Sequence, residues 1–493
     1  MTAAPTLERL PRIAPPPSAH PAASTRVRGT GLGWIFTAFF GVFGWAIGLA
    51  KLSDNSFFWH LRTGEYILDH GIPRHDVFSY TAPGTKWVAQ SWLAEVTYAA
   101  LYRTVGGFGI RVLIGLVGAG IGMLTYRLAL RLVRDRLVAC GLTAAALAGI
   151  YTVWSERPLL LGVLFLVVLL WTVEVPESIV GRHAVVVVPV LMWVWANTHG
   201  TYQLGFAYLG LHLLGRWTDG APPWAGRERR LLLGAVIAFG AVFVNPYGVG
   251  LVTFPIELLS RGDILSHIVE WKSPDFRQAW GVALGLWIVV FVVALARGRH
   301  RVTRRDLVVA VPMLLLALWA VRNVAVAPLV GLPVVARAFA RDAEKPSELR
   351  GTLVVAAITV LVFAAALMGY QASTEQTFDF STYPVASMRY LERHDLMGRR
   401  LLTTDAAAGY VILAEWPQQQ VFIDDRYDMY PTSVIYDYFD LTGAKPGWSR
   451  VLDRYDVDVI VWGRDTALAS LLDRSDHWQR VHRDATDAIW LRT

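Results

Sequence analysis

The chain of 493 residues is 54% hydrophobic and only 17% charged, with a net charge of +7 and a mean hydropathy of +0.40. Soluble domains carry about 25% charged residues, so this composition excludes an ordinary soluble protein and indicates an integral membrane protein. The arginines lie in the short loops between apolar segments and do not form a basic surface, which argues against nucleic-acid binding. The single cysteine, Cys140, excludes a disulfide framework within the chain.

Residues 1–30 are rich in Pro and Ala and contain scattered arginines. Such a composition cannot bury a core and predicts a disordered cytoplasmic tail. The first apolar segment, 32–52, begins too far into the chain for the apolar region of a cleaved signal peptide. It is therefore predicted to be an uncleaved transmembrane helix.

A spanning helix needs about 20 mostly apolar residues, and the chain contains about eleven such segments. The predicted spans are 32–52, 107–127, 136–154, 158–176, 183–199, 201–217, 231–250, 279–297, 306–321, 323–340 and 350–370. The apolar stretch 88–104 is different, because Ser91, Glu95, Tyr98 and Tyr102 recur at helical spacing and make one polar stripe. That pattern favours a helix lying at the membrane interface.

The distribution of arginine predicts the topology. If the N-terminus is cytoplasmic and 88–104 does not span, the arginine-rich loops near 131, 220, 300 and 340 all lie in the cytoplasm. The first outer loop, 53–106, and the C-terminal segment then lie outside. The sequence thus predicts a multi-pass protein of the cell (inner or plasma) membrane, with residues 31–370 forming the transmembrane domain.

From about residue 371 the chain becomes more polar, and short β-type runs alternate with helical ones. This alternation predicts an extracytoplasmic α/β domain over 371–493. The predicted strands are 401–404, 421–424, 458–462 and 488–492, and the predicted helices are 385–394, 447–456 and 466–474.

Polar residues that could form a site cluster on the predicted outer face. Asp54 follows the first span directly, and it is either a solvated interface residue or a working group in a cavity. Asn55 and His60 follow within two helical turns. The outer histidines and acids, including His199 and Asp76, could supply metal ligands, but their spacing matches no metal motif and hydrogen bonding explains them better.

The outer face also carries cations and amides beside apolar spans. Arg157, Lys272 and Arg322 either snorkel toward lipid headgroups or clamp a phosphate. Asn197 and His199 end one span and are either helix caps or ligand contacts. The sequence does not separate these alternatives.

The stretch "DNSFFWHLRTGEYILDHGIPRHDVFSYTAPGTKWVAQSWLAEVTYAALYR" resembles the first outer loop of bacterial polytopic proteins related to the GT-C glycosyltransferases. The later "RPLL", "WANTHG", "NPYG", "EWKSP", "RNV" and "VFIDDRYDMY" resemble landmarks of the same group. The resemblance implies a GT-C-type helical membrane domain, a polyprenyl-phosphate sugar as donor, and Asp54 as the base. Relatives often carry a second acid where this chain has Ser56. Its absence here argues against a metal site held by two carboxylates.

The resulting hypothesis is a metal-independent, inverting glycosyltransferase that moves a sugar from a polyprenyl-phosphate donor to a glycan, glycolipid or protein acceptor. No cofactor and no metal ligand are predicted, and the sequence does not decide whether the reaction needs a divalent metal. Membrane lipids are expected partners. The alternative is a non-catalytic lipid-glycan carrier or a cell-envelope assembly scaffold. A transporter is disfavoured because the chain shows no internal repeat. Asp54 is the predicted catalytic residue, and the predicted substrate-binding residues are Asn55, His60, Asp76, Glu95, Arg157, Asn197, His199, Lys272, Arg322 and Arg426.

Overall fold

The computed structural model of the chain describes residues 31–298, 300–342 and 351–493. The predicted cytoplasmic tail, 1–30, lies outside the described residues. The described part is mostly helical, with a small sheet near the C-terminus.

Sixteen helices precede the C-terminal segment within the described ranges. They are α1 Gly31–Gly48, α2 Asn55–His70, α3 Trp92–Val105, α4 Gly107–Val133, α5 Arg136–Tyr151, α6 Pro158–Glu174, α7 Ile179–Arg182, α8 Ala184–Thr198, α9 Tyr202–Thr218, α10 Gly226–Ala241, α11 Val249–Leu259, α12 Gly262–Leu265, α13 Ala279–Gly298, α14 Arg304–Trp319, α15 Val326–Ala338 and α16 Gly351–Thr374. Two 3₁₀ turns cover Val269–Trp271 and Val321–Asn323.

Each of the predicted spans overlaps one of these helices, although the span 231–250 extends well beyond the end of α10 at Ala241. Five segments of the described chain are long and apolar enough to cross a membrane by themselves, which makes this a helical membrane protein. They are α1, α4, α13, α16 and the segment Val321–Ala338. The full count of about eleven spans and their orientation stay predictions.

The helices α1 and α4 pack with their backbones in close approach. A Cβ atom placed on Gly44 would lie 2.1 Å from the carbonyl oxygen of Gly118, and one on Gly122 would lie 2.2 Å from that of Phe40. Small residues at a membrane helix interface allow this approach, because side chains do not hold the backbones apart.

The helices α2 and α3 form a layer at the end of the bundle where α4 begins, and we call this the cavity end. Asp54 caps α2, since its side chain accepts a hydrogen bond from the backbone N–H of Phe57. The polar stripe of α3 does not face water, because Glu95 and Tyr98 are buried. The stripe therefore packs inside the protein, and the placement of 88–104 at the membrane interface stays a prediction.

The C-terminal segment builds a four-stranded sheet with helices around it. Its elements are α17 Val385–Arg393, β1 Leu401–Leu402, α18 Asp405–Glu415, α19 Thr432–Thr442, α20 Trp448–Arg454, β2 Val459–Gly463, α21 Ala467–Leu472, β3 Trp478–Arg483 and β4 Asp487–Arg492. The strand order is β1-β2-β4-β3, with β1 and β2 parallel and the other pairs antiparallel. The strands predicted near 401, 458 and 488 and the three predicted helices are confirmed.

The predicted strand 421–424 is wrong. Its first residue, Val421, exchanges backbone hydrogen bonds of 3.1 Å with Phe78 and Tyr80 of the first loop. Val421 also forms a bridge with Leu401 of β1, so this one residue connects the edge of the sheet to loop 53–106. The domain boundary at 371 stays a prediction, because α16 continues to Thr374.

Candidate functional site

A cavity of about 420 Å³ lies at the cavity end of the bundle. Its walls come from α2, from residues 87–91 of the first loop, from the 3₁₀ turn Val269–Trp271 and from residues 425–428 of the C-terminal segment. Distant parts of the chain thus complete one polar pocket. Its charged or titratable lining residues are His60, Glu95, Arg157, His199, Glu270, Arg322, Asp405, Asp425, Arg426, Tyr427 and Asp428.

Arg157 connects two carboxylates at the cavity wall. Its Nε atom donates to both carboxylate oxygens of Asp54 at 2.8 Å, and its Nη1 atom donates to Glu270 at 2.9 Å. Although burial opposes it, the charges of Asp54 and Glu270 raise the pKa of Arg157. The guanidinium is therefore a fixed positive charge in the cavity wall.

Glu156 fixes the backbone that carries Asp54. Its Oε1 atom accepts from the backbone N–H groups of Ser53 at 2.5 Å and Asp54 at 2.8 Å. Burial raises the pKa of Glu156, and those two N–H groups oppose the shift. The start of α2 is thereby held against the loop that carries Arg157.

Asp425 lies at the centre of contacts between α2 and the C-terminal segment. It accepts hydrogen bonds from Trp59 Nε1 at 2.5 Å, from Asn55 Nδ2 at 3.3 Å and from the hydroxyl of Ser56. Burial raises the pKa of Asp425 to about 7, although Arg157 opposes the shift. This carboxyl can therefore gain or lose a proton near neutral pH.

His60 and Glu95 form a buried pair between α2 and α3. His60 Nδ1 lies 2.8 Å from Glu95 Oε1. Burial lowers the pKa of His60 and raises that of Glu95. Within the described chain the second oxygen of Glu95, Oε2, has no hydrogen-bond partner.

Arg426 is a buried guanidinium held by two carboxylates. It donates to Asp76 at 2.8 Å and to Asp424 at 2.6 and 2.8 Å, and it lies 4.4 Å from the ring centroid of Trp87. Its Nη1 atom has no hydrogen-bond partner among the described residues. Arg426 lines the cavity, and its unpaired Nη1 atom is itself buried.

His199 and Arg322 complete the opposite wall. His199 Nδ1 lies 3.0 Å from the hydroxyl oxygen of Thr201. The guanidinium of Arg322 stacks over Trp271 at 4.3 Å from the ring centroid. Three arginines therefore contribute to this cavity from separate elements.

The structure brings together six of the predicted site residues in the cavity lining: His60, Glu95, Arg157, His199, Arg322 and Arg426. Asp54, Asn55 and Asp76 lie behind the lining and hold residues in it. Asn197 is buried and binds Trp92 and Trp193, and Lys272 is exposed and outside the lining. The functional roles of all these residues stay predictions.

Sequence reasoning missed Asp425, Glu270 and Asp405 as site residues. Asp425 belongs to the run "FIDDRYDMY", which has several acids and gives no sign of which one faces a cavity. In the described ranges, no group of three or more His, Cys, Asp or Glu side chains is arranged to hold a metal ion. Arg157 is the cation that lies between Asp54 and Glu270.

No family model matches the chain, and no curated protein is similar to it. Among solved structures, the chain is similar to the crystal structure of the Archaeoglobus fulgidus oligosaccharyltransferase in the apo form. That similarity has 11% sequence identity and a TM-score of 0.47, and it covers 88% of this chain and 69% of the other. The chemistry of the cavity therefore has to be derived from its own residues.

Proposed function

We propose that the protein transfers a sugar from a polyprenyl-phosphate donor to an acceptor on the extracytoplasmic side of the membrane. The observation that carries this proposal is the arrangement of Arg157, Arg322 and carboxylates in one polar cavity at the end of apolar helices. Arginine suits a phosphate, and a carboxylate suits a proton that leaves an attacking hydroxyl.

An apolar cavity supports a lipid-linked donor. It has a volume of about 1290 Å³, and side chains of α1, α5, α13 and α16 line it. Its lining includes Thr152 and Trp154, which are close in sequence to Arg157 of the polar cavity. A lipid chain in the apolar cavity would thus bring its phosphate toward the guanidinium.

In the proposed reaction the oxygen of the acceptor hydroxyl attacks the anomeric carbon of the donor sugar. The bond between that carbon and the phosphate oxygen breaks through an oxocarbenium-like transition state. The hydroxyl proton moves to a carboxylate, and the lipid phosphate leaves as an anion. Attack from the face opposite the phosphate inverts the anomeric configuration.

Asp54 is the proposed base, and Arg157 is the proposed phosphate clamp. In the structure Arg157 occupies both oxygens of Asp54. A donor phosphate that binds Arg157 would compete with Asp54 for the guanidinium and free a carboxylate oxygen to accept the proton. Substrate binding would thus activate the base.

The remaining lining residues have proposed roles in orientation. Arg322 assists the leaving phosphate, and Arg426 offers its unpaired N–H to a sugar or acceptor oxygen. Glu95 offers its free oxygen as an acceptor for a sugar or acceptor hydroxyl, with His60 fixing its position. Hydrogen bonds that strengthen as charge develops lower the barrier to transfer.

The test compares Asp54→Asn with wild type in reconstituted vesicles that contain a radiolabelled polyprenyl-phosphate sugar. We expect the transfer rate to fall by about 10²–10⁴, because the change removes the basic oxygen and keeps the size of the side chain. Asp476→Asn is a matched control on an exposed acid of the C-terminal segment, and it should keep full activity. Donor binding should persist in both variants.

Full activity of Asp54→Asn would place the base elsewhere, with Asp425→Asn as the next variant to assay. Donor binding by wild type without any product, across a panel of acceptors, would contradict the transferase proposal. That outcome would support the non-catalytic carrier instead.

A further inference from the structure

A second cavity, of about 490 Å³, lies among arginines at the other end of the bundle. It combines residues from the end of α4, from the loop after α13 and from the end of α15. We call it the arginine cavity, and its charged lining residues are Arg131, Arg134, Arg301, Arg337, Arg341 and Asp342.

The geometry of α15 separates this cavity from the candidate site. Arg322, just before α15, lines the polar cavity, whereas Arg337 in the last turn of α15 lines the arginine cavity. At a rise of 1.5 Å per residue the two positions are roughly 22 Å apart along the helix. The arginine cavity is therefore independent of the proposed transfer reaction.

Two of its arginines are neutralised by nearby carboxylates. Arg337 pairs with Glu174 and lies 3.1 Å from Asp306, and Arg341 lies 2.7 Å from Asp135. These ion pairs connect the ends of α6, α14, α15 and α4. They hold these helix ends together and neutralise Arg337 and Arg341.

The other three arginines leave an excess of positive charge. Arg301 lies 3.7 Å from the exposed carboxylate of Asp342, and Arg134 donates to the backbone oxygen of the same residue at 3.0 Å. Arg131 has no hydrogen-bond or ion-pair partner in the part of the chain that the structure describes. Among the described lining residues these three guanidinium groups thus have one carboxylate near them, and only Arg301 pairs with it.

The position of the cavity along α4 corresponds to the depth of lipid headgroups. The 27 residues of α4 extend roughly 40 Å, and the hydrocarbon core of a bilayer is about 30 Å thick. One turn before Arg131, Arg127 lies 4.2 Å from the ring centroid of the half-exposed Trp34, as expected at a membrane interface.

We infer that the arginine cavity binds a phosphate group on the face of the membrane opposite the candidate site. Guanidinium groups recognise phosphate through paired N–H donors, and basic pockets between membrane helices bind anionic headgroups. The phosphate belongs to an anionic phospholipid or to a soluble phosphate compound. Once bound, it would bridge the ends of α4 and α13.

The test uses the purified full chain in mixed micelles that contain either phosphatidylglycerol or phosphatidylcholine, with inorganic phosphate as a third arm. Thermal unfolding and native mass spectrometry report binding. We expect phosphatidylglycerol to raise Tm and to remain bound, whereas phosphatidylcholine should not. Arg131→Gln and Arg301→Gln should each weaken binding roughly fivefold.

Arg230→Gln is the matched control, because it removes an equal charge from an exposed position of α10 outside the cavity. It should bind phosphatidylglycerol as wild type does. Arg131 has no partner to lose among the described residues, so its variant should also match the wild-type Tm without lipid. A shift with inorganic phosphate alone, lost in Arg131→Gln, would support the site and assign it to a soluble ligand. Equal lipid binding by Arg131→Gln, Arg301→Gln and wild type would overturn the inference.

Discussion

The carboxyl group of Asp425 shows how a single residue couples stability to pH. Its folded-state pKa of about 7 is raised by burial above the ordinary value for Asp, so the folded chain holds a proton that the unfolded chain releases. Stability from this group is therefore present in acid and is lost as the pH rises through about 7. The donors Trp59, Ser56 and Asn55 moderate the loss.

We accordingly expect Asp425→Asn to gain thermal stability relative to wild type as the pH rises from 5.5 to 8.5, because Asn cannot ionise. Unfolding midpoints in detergent at several pH values provide the measurement. Asp476→Asn, at an exposed acid, should follow the wild-type pH dependence. Parallel curves for Asp425→Asn and wild type would show that Asp425 does not titrate in this range.

Residues beside the apolar spans could be predicted as lining residues, whereas those from the C-terminal segment mostly could not. An ionisable side chain next to a membrane span is rare and marks a candidate functional site. The sequence alone therefore identifies Arg157, His199 and Arg322. Asp425 does not stand out, because a polar segment contains many acids. Its importance comes from a fold that places it against Trp59, 366 residues away in sequence.

At the scale of helices and strands, the close approach of α1 and α4 gives a sharp prediction. Gly44→Ala should lower stability by about 1–3 kcal/mol, because a Cβ 2.1 Å from the carbonyl oxygen of Gly118 forces a backbone to move. Gly210→Ala, in α9, meets nothing within 4 Å and should be neutral or stabilising. Thermal unfolding in detergent would compare them, and equal midpoints would contradict the packing.

The long helices could be predicted because a lipid environment requires continuous apolar runs, which are visible in one sequence. The strand β3, Trp478–Arg483, was missed because it is largely exposed and charged. The run 421–424 has the composition of a strand, but only Val421 pairs, with Ser79 of the first loop and Leu401 of β1. Pairing over such a distance depends on tertiary structure and not on local composition.

At the scale of the whole molecule, the connection between α9 and α10 lies far from the cavity end. His199 lines the polar cavity just before α9, and the connection follows the other end of that helix. The C-terminal segment, in contrast, forms part of the polar cavity. The structure thus places Arg230 and Arg474 near opposite ends of the bundle, and the arginine distribution predicts that the first is cytoplasmic.

Arg230→Cys and Arg474→Cys, each in a Cys140→Ala background, test this topology. An impermeant maleimide should label Arg474→Cys in intact cells, because the tail is predicted to be outside. Arg230→Cys should react only after the membrane is opened. Labelling of both variants from outside would show that the number of spans is not eleven.

The contacts of α2 with Asp405 and Asp425 can form only late in the synthesis of the chain. The two partners of each contact are separated by at least 350 residues, so the ribosome makes the second partner long after the first. At 5–20 residues per second the interval is roughly 20–70 s. During that interval the newly inserted first loop lacks one wall of the polar cavity. Synthesis of the C-terminal segment would therefore be the step that completes the cavity.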